Sequence, residues 1–227
     1  HREISETLAG FLEKYMKDTE ENQEKGYSVL VVGLGNREVT PDALGPQVIQ
    51  NLKITRHIIK EYGKAGVGKR KAHQISSLVP GVMAQTGMET MEIIRGVIRE
   101  TDPDAVIAID ALAARSVRRL NCTIQITDTG INPGSGVCNH RCGLNEETLG
   151  IPVIGIGVPT VVDGATIVHD AIAHLLENLE EAEMEEFLQE LITPRLHRMF
   201  VTPKDVDETV KRLSYTISEG INIAMEA

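Results

Sequence analysis

The sequence predicts an α/β fold, a three-layer sandwich with a mainly parallel central sheet. Two observations predict it. Short apolar runs (Val29–Val32, Val106–Ile109 and Val153–Val158) have the length and composition of strands covered on both faces, as parallel strands are. Longer stretches of helical apolar spacing lie between them, which is the alternation of a chain built from βαβ units. Aromatic residues make up only 3% and tryptophan is absent, so the core must be aliphatic. The 227 residues suffice for one such domain with a full core and are too few for two large ones, so residues 1–227 form a single domain.

Taken in order, Glu3 to Lys25 reads as a charged helix with a sparse apolar face of Leu8, Phe11, Leu12 and Tyr15, then a solvated acidic stretch. Val29–Val32 is the first strand. Gly33 and Gly35 follow where the chain must turn sharply, which needs positive φ or close backbone approach. Thr40-Pro41-Asp42 then reads as a helix start: a capping-type hydroxyl, a proline in the first turn, and a carboxylate that the helix dipole tolerates. Val48, Ile49, Leu52 and Ile54 continue that helix or its exit. Glu61 to Lys71 carries Gly63, Gly66 and Gly68 among Lys64, Lys69, Arg70 and Lys71, the composition of a mobile basic loop able to meet an acidic ligand.

Val79–Val82 is a turn, and Met91, Ile94, Val97 and Ile98 keep helical spacing up to Thr101. Asp104–Asp110 is the second strong strand and ends in a carboxylate. Small residues follow (Ala111, Ala113, Ala114), then a basic run of Arg115, Arg118 and Arg119. Thr123–Asp128 alternates at period two, as a half-exposed strand does. Gly130 to Gly143 is a long loop. Pro152–Val158 is a further buried strand with Pro159–Asp163 at its end. A helical pattern runs from Ala165 through Leu179, with His169 and His174 aboard, before an acidic patch at Glu180–Glu186. Thr202–Asp207 opens an amphipathic helix that uses Val206, Val210, Leu213, Ile217 and Ile221.

Charge and composition exclude several classes. The 33 acidic and 23 basic residues leave a formal charge of −10, which argues against direct nucleic-acid binding. No apolar run approaches the ~20 residues of a membrane span. No secretory leader is visible, and His1 is not an initiator, so a longer or processed chain is expected. Three cysteines (Cys122, Cys138 and Cys142) are too few and too uneven for a disulfide framework, which favours a reducing cytosol.

Among candidate sites, Gly33-x-Gly35 is a poor dinucleotide fingerprint, because the third glycine position holds Glu38 and no acidic residue ends the next strand at the usual distance. Cys138, His140 and Cys142 could supply three zinc ligands but lack a fourth at a convincing spacing. Ser135 sits in turn chemistry, without a nucleophile elbow. The histidines at 57, 73, 169, 174 and 197 read as surface or packing residues.

The carboxylates at strand ends remain: Asp42, Asp110, Asp128 and Asp163. Neighbouring parallel strands lie about 5 Å apart, so carboxylates at adjacent tips can face one another. Two such groups cannot both ionise cheaply, and one tends to keep its proton. One can then serve as base toward water and the other as acid toward an amide. Capping or loop bonding explains Asp128 and Asp163 better. Asp42 and Asp110 are the candidate catalytic pair, because small residues after each leave room for a ligand.

These stretches resemble the spore germination protease family. The resemblance is carried by Val31–Asn36, by Val39–Pro46, by Pro80–Met83 with Thr86–Thr90, and by Val106–Arg115. It continues through Thr123–Ile126 with Asp128–Gly130, Pro133–Val137, Leu149–Ile154, Val158–Asp163 and Val201–Lys204, in order over nearly the whole chain. It implies an atypical aspartic endopeptidase that degrades the small acid-soluble proteins coating spore DNA, with its two catalytic aspartates at Asp42 and Asp110. It also implies a cytoplasmic enzyme of the spore core, a homotetramer, and maturation from a zymogen whose propeptide and first mature segment precede this chain. No cofactor or metal is expected, although the fold is similar to that of hydrogenase maturation endopeptidases, whose corresponding acidic positions and a histidine take a metal. Residues around Glu180–Glu186 are shorter than the polar insertion usual there, Asn132 stands where some relatives have histidine, and Cys138 and Cys142 are outside the pattern. Two alternatives stay open beside the aspartic endopeptidase. One is a metal-dependent peptidase using Asp42, Asp110 and His140; the other is a non-catalytic module whose acidic tips bind a basic ligand.

Overall fold

The computed structural model describes residues 1–16, 26–67, 73–133, 143–175 and 195–226. The chain runs α1 (Arg2–Tyr15), β1 (Ser28–Gly33), α2 (Leu44–Gln50), α3 (Arg56–Tyr62), β2 (Gln74–Leu78), α4 (Met83–Thr86), α5 (Thr90–Thr101) and β3 (Ala105–Ala114). It continues through β4 (Gln125–Thr127), α6 (Glu146–Leu149), β5 (Val153–Asp163), α7 (Gly164–Leu175), β6 (Phe200–Val201) and α8 (Val206–Glu226).

The strand order is β2-β1-β3-β5-β4, with β6 pairing to β5. The pairings β1–β2, β1–β3 and β3–β5 are parallel; β4 and β6 join β5 antiparallel. The sheet is therefore mixed and mostly parallel, between two helical layers, as the apolar runs predict.

Alternation along the strands divides the core. Val29, Val31, Ile107, Ile109, Ile154, Ile156 and Val158 face one side, against Leu8 and Leu12 of α1, Leu44 and Val48 of α2, and Val210, Ile217 and Ile221 of α8. Leu30, Val32, Val106, Ala108 and Val153 face the other, with Met91 and Ile94 of α5 and Leu149 of α6. Each fully buried Val, Leu or Ile contributes roughly 1.5–3 kcal/mol relative to exposure, so these two faces dominate stability.

Helices α1 and α8 pack closely because Gly220 lets them. A Cβ there would stand 2.7 Å from Leu8 Cδ2. Ser5 Oγ donates to the Thr216 carbonyl across the same seam at 2.8 Å. Buried Asn222 ties α8 to the end of α2: its Oδ1 accepts from Lys53 N–H (2.9 Å) and its amide donates to the Asn51 carbonyl (3.2 Å).

Four local expectations are corrected. Phe11 and Tyr15 are exposed, at 46% and 37%, and Ser5 and Ala9 take their places on the inner face of α1. Thr40 gives no side-chain cap; Thr40–Asp42 is a single 3-10 turn, and α2 begins only at Leu44. The expected basic loop from Glu61 is helical as far as Val67, through α3 and a 3-10 turn at Lys64–Val67. Strands β3 and β5 run on past the carboxylate and proline expected to end them.

Candidate active site

The site forms where β1 stops and β3 continues. The last rung of their ladder pairs Gly33 with Ile109. Leu34 N–H then donates to the Ile109 carbonyl at 2.8 Å, which sets Leu34 beside Asp110. Beyond this point β1 turns away through Gly35, whose φ of +109° suits glycine alone. Asp110 follows Val106 and Ala108 on the α5 face, is 5% exposed, and accepts from Ala111 N–H at 3.0 Å. Asp110 is thus not a strand terminus. It lies inside a ten-residue strand, at the step where its neighbour ends.

Asp42 reaches the same tip from the 3-10 turn. Its Oδ2 accepts the Asn36 backbone N–H at 2.7 Å, and its own N–H donates to the Val39 carbonyl at 2.8 Å. A Cβ on Gly35 would overlap the Asp42 carbonyl oxygen and stand 3.0 Å from Oδ1. Asp42 therefore contacts Gly35, and Asp110 is the residue after the Ile109 carbonyl that Leu34 N–H reaches. Gly45 seats the start of α2 on the same seam: a Cβ there would be 2.7 Å from the Ile109 carbonyl oxygen.

A third strand holds the turn in place. The pairing of β3 with β5 shifts between Leu112 and Ala113: Leu112 lies opposite Pro159 and Ala113 opposite Val161. Thr160 is the extra residue of this bulge. It is 1% exposed, and its hydroxyl donates to the Pro41 carbonyl at 2.7 Å. Bulges re-aim side chains in this way. Sequence reading missed Thr160 and the Asn36 N–H, since neither a bulge register nor a main-chain donor leaves a compositional mark.

The other strand-end aspartates lie elsewhere. Asp163 caps α7, accepting from Thr166 N–H (2.8 Å) and its hydroxyl (2.7 Å). Asp128 is exposed and follows β4, which runs antiparallel to β5, so it points to the opposite edge of the sheet. Just past Asp110, a cavity of about 390 Å³ is lined by Leu112, Ala113, Ala114, Arg115, Arg119, Gln125 and Pro159.

His73 proves to be a packing residue, its Nδ1 accepting from Tyr27 N–H at 3.0 Å. Among the described residues no group of three His, Cys, Asp or Glu side chains could hold a metal ion. Ser135, Cys138, His140 and Cys142, the basic residues Lys69–Lys71, and the Glu180–Glu186 patch lie outside the described residues. Also among the described residues, no helix is long and apolar enough to cross a membrane.

The germination protease family model matches residues 1–179. The chain belongs to this family. A germination protease of Caldanaerobacter subterraneus subsp. tengcongensis is 46% identical over 220 residues, covering 89% of this chain and 67% of that protein. One from Clostridium tetani is 47% identical over 218 residues, covering 88% and 66%. One from Bacillus subtilis is 40% identical over 270 residues, covering 98% and 71%. The chain spans about two thirds of the length of these family members.

Proposed function

We propose that this chain is an atypical aspartic endopeptidase that initiates degradation of small acid-soluble, DNA-coating spore proteins at germination. Asp42 and Asp110 activate water in it without a cofactor. One observation carries the reading: Asp42 packs on Gly35 at the tip of β1, and Asp110 directly follows Ile109, whose carbonyl takes the Leu34 N–H, so two aspartates from different elements stand at one strand tip. Membership of the germination protease family supports it independently.

In the mechanism one carboxyl is ionised and the other protonated. The ionised group takes a proton from water as the water oxygen bonds to the scissile carbonyl carbon. The protonated group first donates a hydrogen bond to the carbonyl oxygen. As the tetrahedral species collapses, the C–N bond breaks and the leaving nitrogen receives a proton from the pair, which returns to its starting state. The cavity beyond Asp110 gives substrate residues room beside the scissile bond. On the same reading the enzyme works in the spore core as a homotetramer, after removal of a propeptide that keeps its precursor inactive.

The test is turnover of a purified small acid-soluble spore protein. Wild type cleaves it, whereas Asp42→Asn and Asp110→Asn each lose on the order of 10²–10⁴-fold, the usual contribution of a proton-transfer group. Circular dichroism and thermal unfolding check that both variants remain folded. Near-normal turnover by either folded variant removes that residue from the mechanism.

A further inference from the structure

Asp42 sits on a 3-10 turn of three residues, a short element that owes its position to what holds it. Asn36 N–H fixes the carboxylate from one side. From the other, the turn packs over β3 and β5 and against α8. From β5 the turn receives the Thr160 hydroxyl, which donates to the Pro41 carbonyl, the peptide immediately before Asp42. Thr160 is itself held: its own carbonyl accepts the Thr202 hydroxyl at 2.9 Å.

We propose that Thr160 is a positioning residue for Asp42, the bulge in β5 serving to aim its hydroxyl at the turn. The inference rests on the reading of Asp42 as a catalytic carboxylate. Two features favour positioning over mere core filling. A bulge residue has no partner on β3, so Thr160 contributes nothing to that ladder for which an extra residue is needed. A valine would fill the same buried volume with the same branching, yet the site holds a hydroxyl that spends its donor on the backbone next to Asp42. The chain Thr202–Thr160–Pro41 thus couples the segment before α8 to the site, two strands away from β1.

The experiment compares Thr160→Val, Thr160→Ser and Thr202→Val on a small acid-soluble spore protein. Thr160→Val keeps shape and removes the donor, so kcat should fall about 10- to 100-fold at nearly unchanged KM, as small misplacements of reacting groups do. Its pH–rate profile should shift, because a displaced Asp42 meets its partner carboxyl differently. Thr160→Ser restores the donor and should recover kcat to within about threefold of wild type, although it loses a buried methyl and some stability. Thr202→Val, which leaves Thr160 intact, should lower kcat in the same direction by a smaller factor.

Asp42→Asn, run alongside, separates the two levels. If Asp42→Asn is inactive but folded Thr160→Val has wild-type kcat and pH profile, Thr160 is structural only and the inference fails alone. If Asp42→Asn is active, the reading beneath it fails. If Thr160→Val does not fold, Thr202→Val decides: an unchanged kcat and pH profile there overturns the relay. Equal losses in Thr160→Ser and Thr160→Val would also overturn it, since only the methyl would then matter.

Discussion

Gly35 and Asp42 meet backbone to backbone: Gly35 holds φ at +109°, and a Cβ on it would overlap the Asp42 carbonyl oxygen. This contact lets the turn carrying Asp42 close onto the tip of β1. Gly35→Ala is therefore expected to strain the backbone and displace Asp42 together. The strain alone costs on the order of 1–3 kcal/mol, and the displacement should remove more than about 90% of turnover. Gly87→Ala is the control. It has φ of +71° but nothing within 4 Å of a new Cβ, so it should lose stability of order 1 kcal/mol without loss of activity. Thermal unfolding and kcat, measured on both variants, read the two effects separately.

Paired carboxylates make the pH dependence specific. If Asp42 and Asp110 share one proton, their titration belongs to the pair, and only the singly protonated form is active. The rate should then fall on both sides of a window. An isolated carboxyl titrates near ~4, so activity at cytosolic pH requires the upper step to be raised by the paired site. The measurement is kcat/KM against pH on a small unstructured substrate, with folding verified at each pH. A flat profile from roughly pH 5 to 9 would sink the shared-proton mechanism even with both aspartates essential.

Chelators are expected to leave turnover unchanged. Two carboxylates alone make a poor zinc site, and among the described residues no third ligand stands with them. The check is activity with and without EDTA, alongside metal analysis of the purified protein. Stoichiometric zinc or nickel, with activity lost on removal and restored on return, would favour a metal-dependent peptidase instead.

At the amino edge of the sheet, the Tyr27 phenol is pushed above its ordinary value of 10.0, first by burial and second by the charge of Asp104. That carboxylate is held there by accepting the Ser28 N–H at 2.6 Å. A phenol with a higher pKa in the native state keeps a proton that the unfolded chain has released. Its contribution is therefore full below about pH 10 and is lost as pH rises from there through the native value. Urea unfolding at about pH 9 and pH 11 should show a larger drop in stability for wild type than for Tyr27→Phe. Equal drops would mean that Tyr27 plays no part in the alkaline limit.

The sequence by itself determined the fold class, the buried strands β1, β3 and β5 and the long helix α8, and it singled out Asp42 and Asp110 as the candidate carboxylates. It could do so because these features are local. A continuous apolar run marks a strand covered on both faces, 3.6-residue spacing marks α8, and a carboxylate followed by small residues marks space. The spacing of Phe11 and Tyr15 was equally regular, yet both are exposed, because α8 covers only the stripe of α1 that carries Ser5, Leu8 and Leu12. Tertiary structure alone decided which strand ends share an edge. Antiparallel pairing of β4 sends Asp128 to the far side, and the bond that captures Thr166 turns Asp163 into a cap. It also decided that β3 outruns β1, so that Asp110 sits beside Leu34, and that a bulge in β5 aims Thr160 at Pro41. Strand direction, register and bulges are set by pairing between segments far apart in the chain. Each depends on where the partner's hydrogen-bonding groups fall, and no residue carries that information alone.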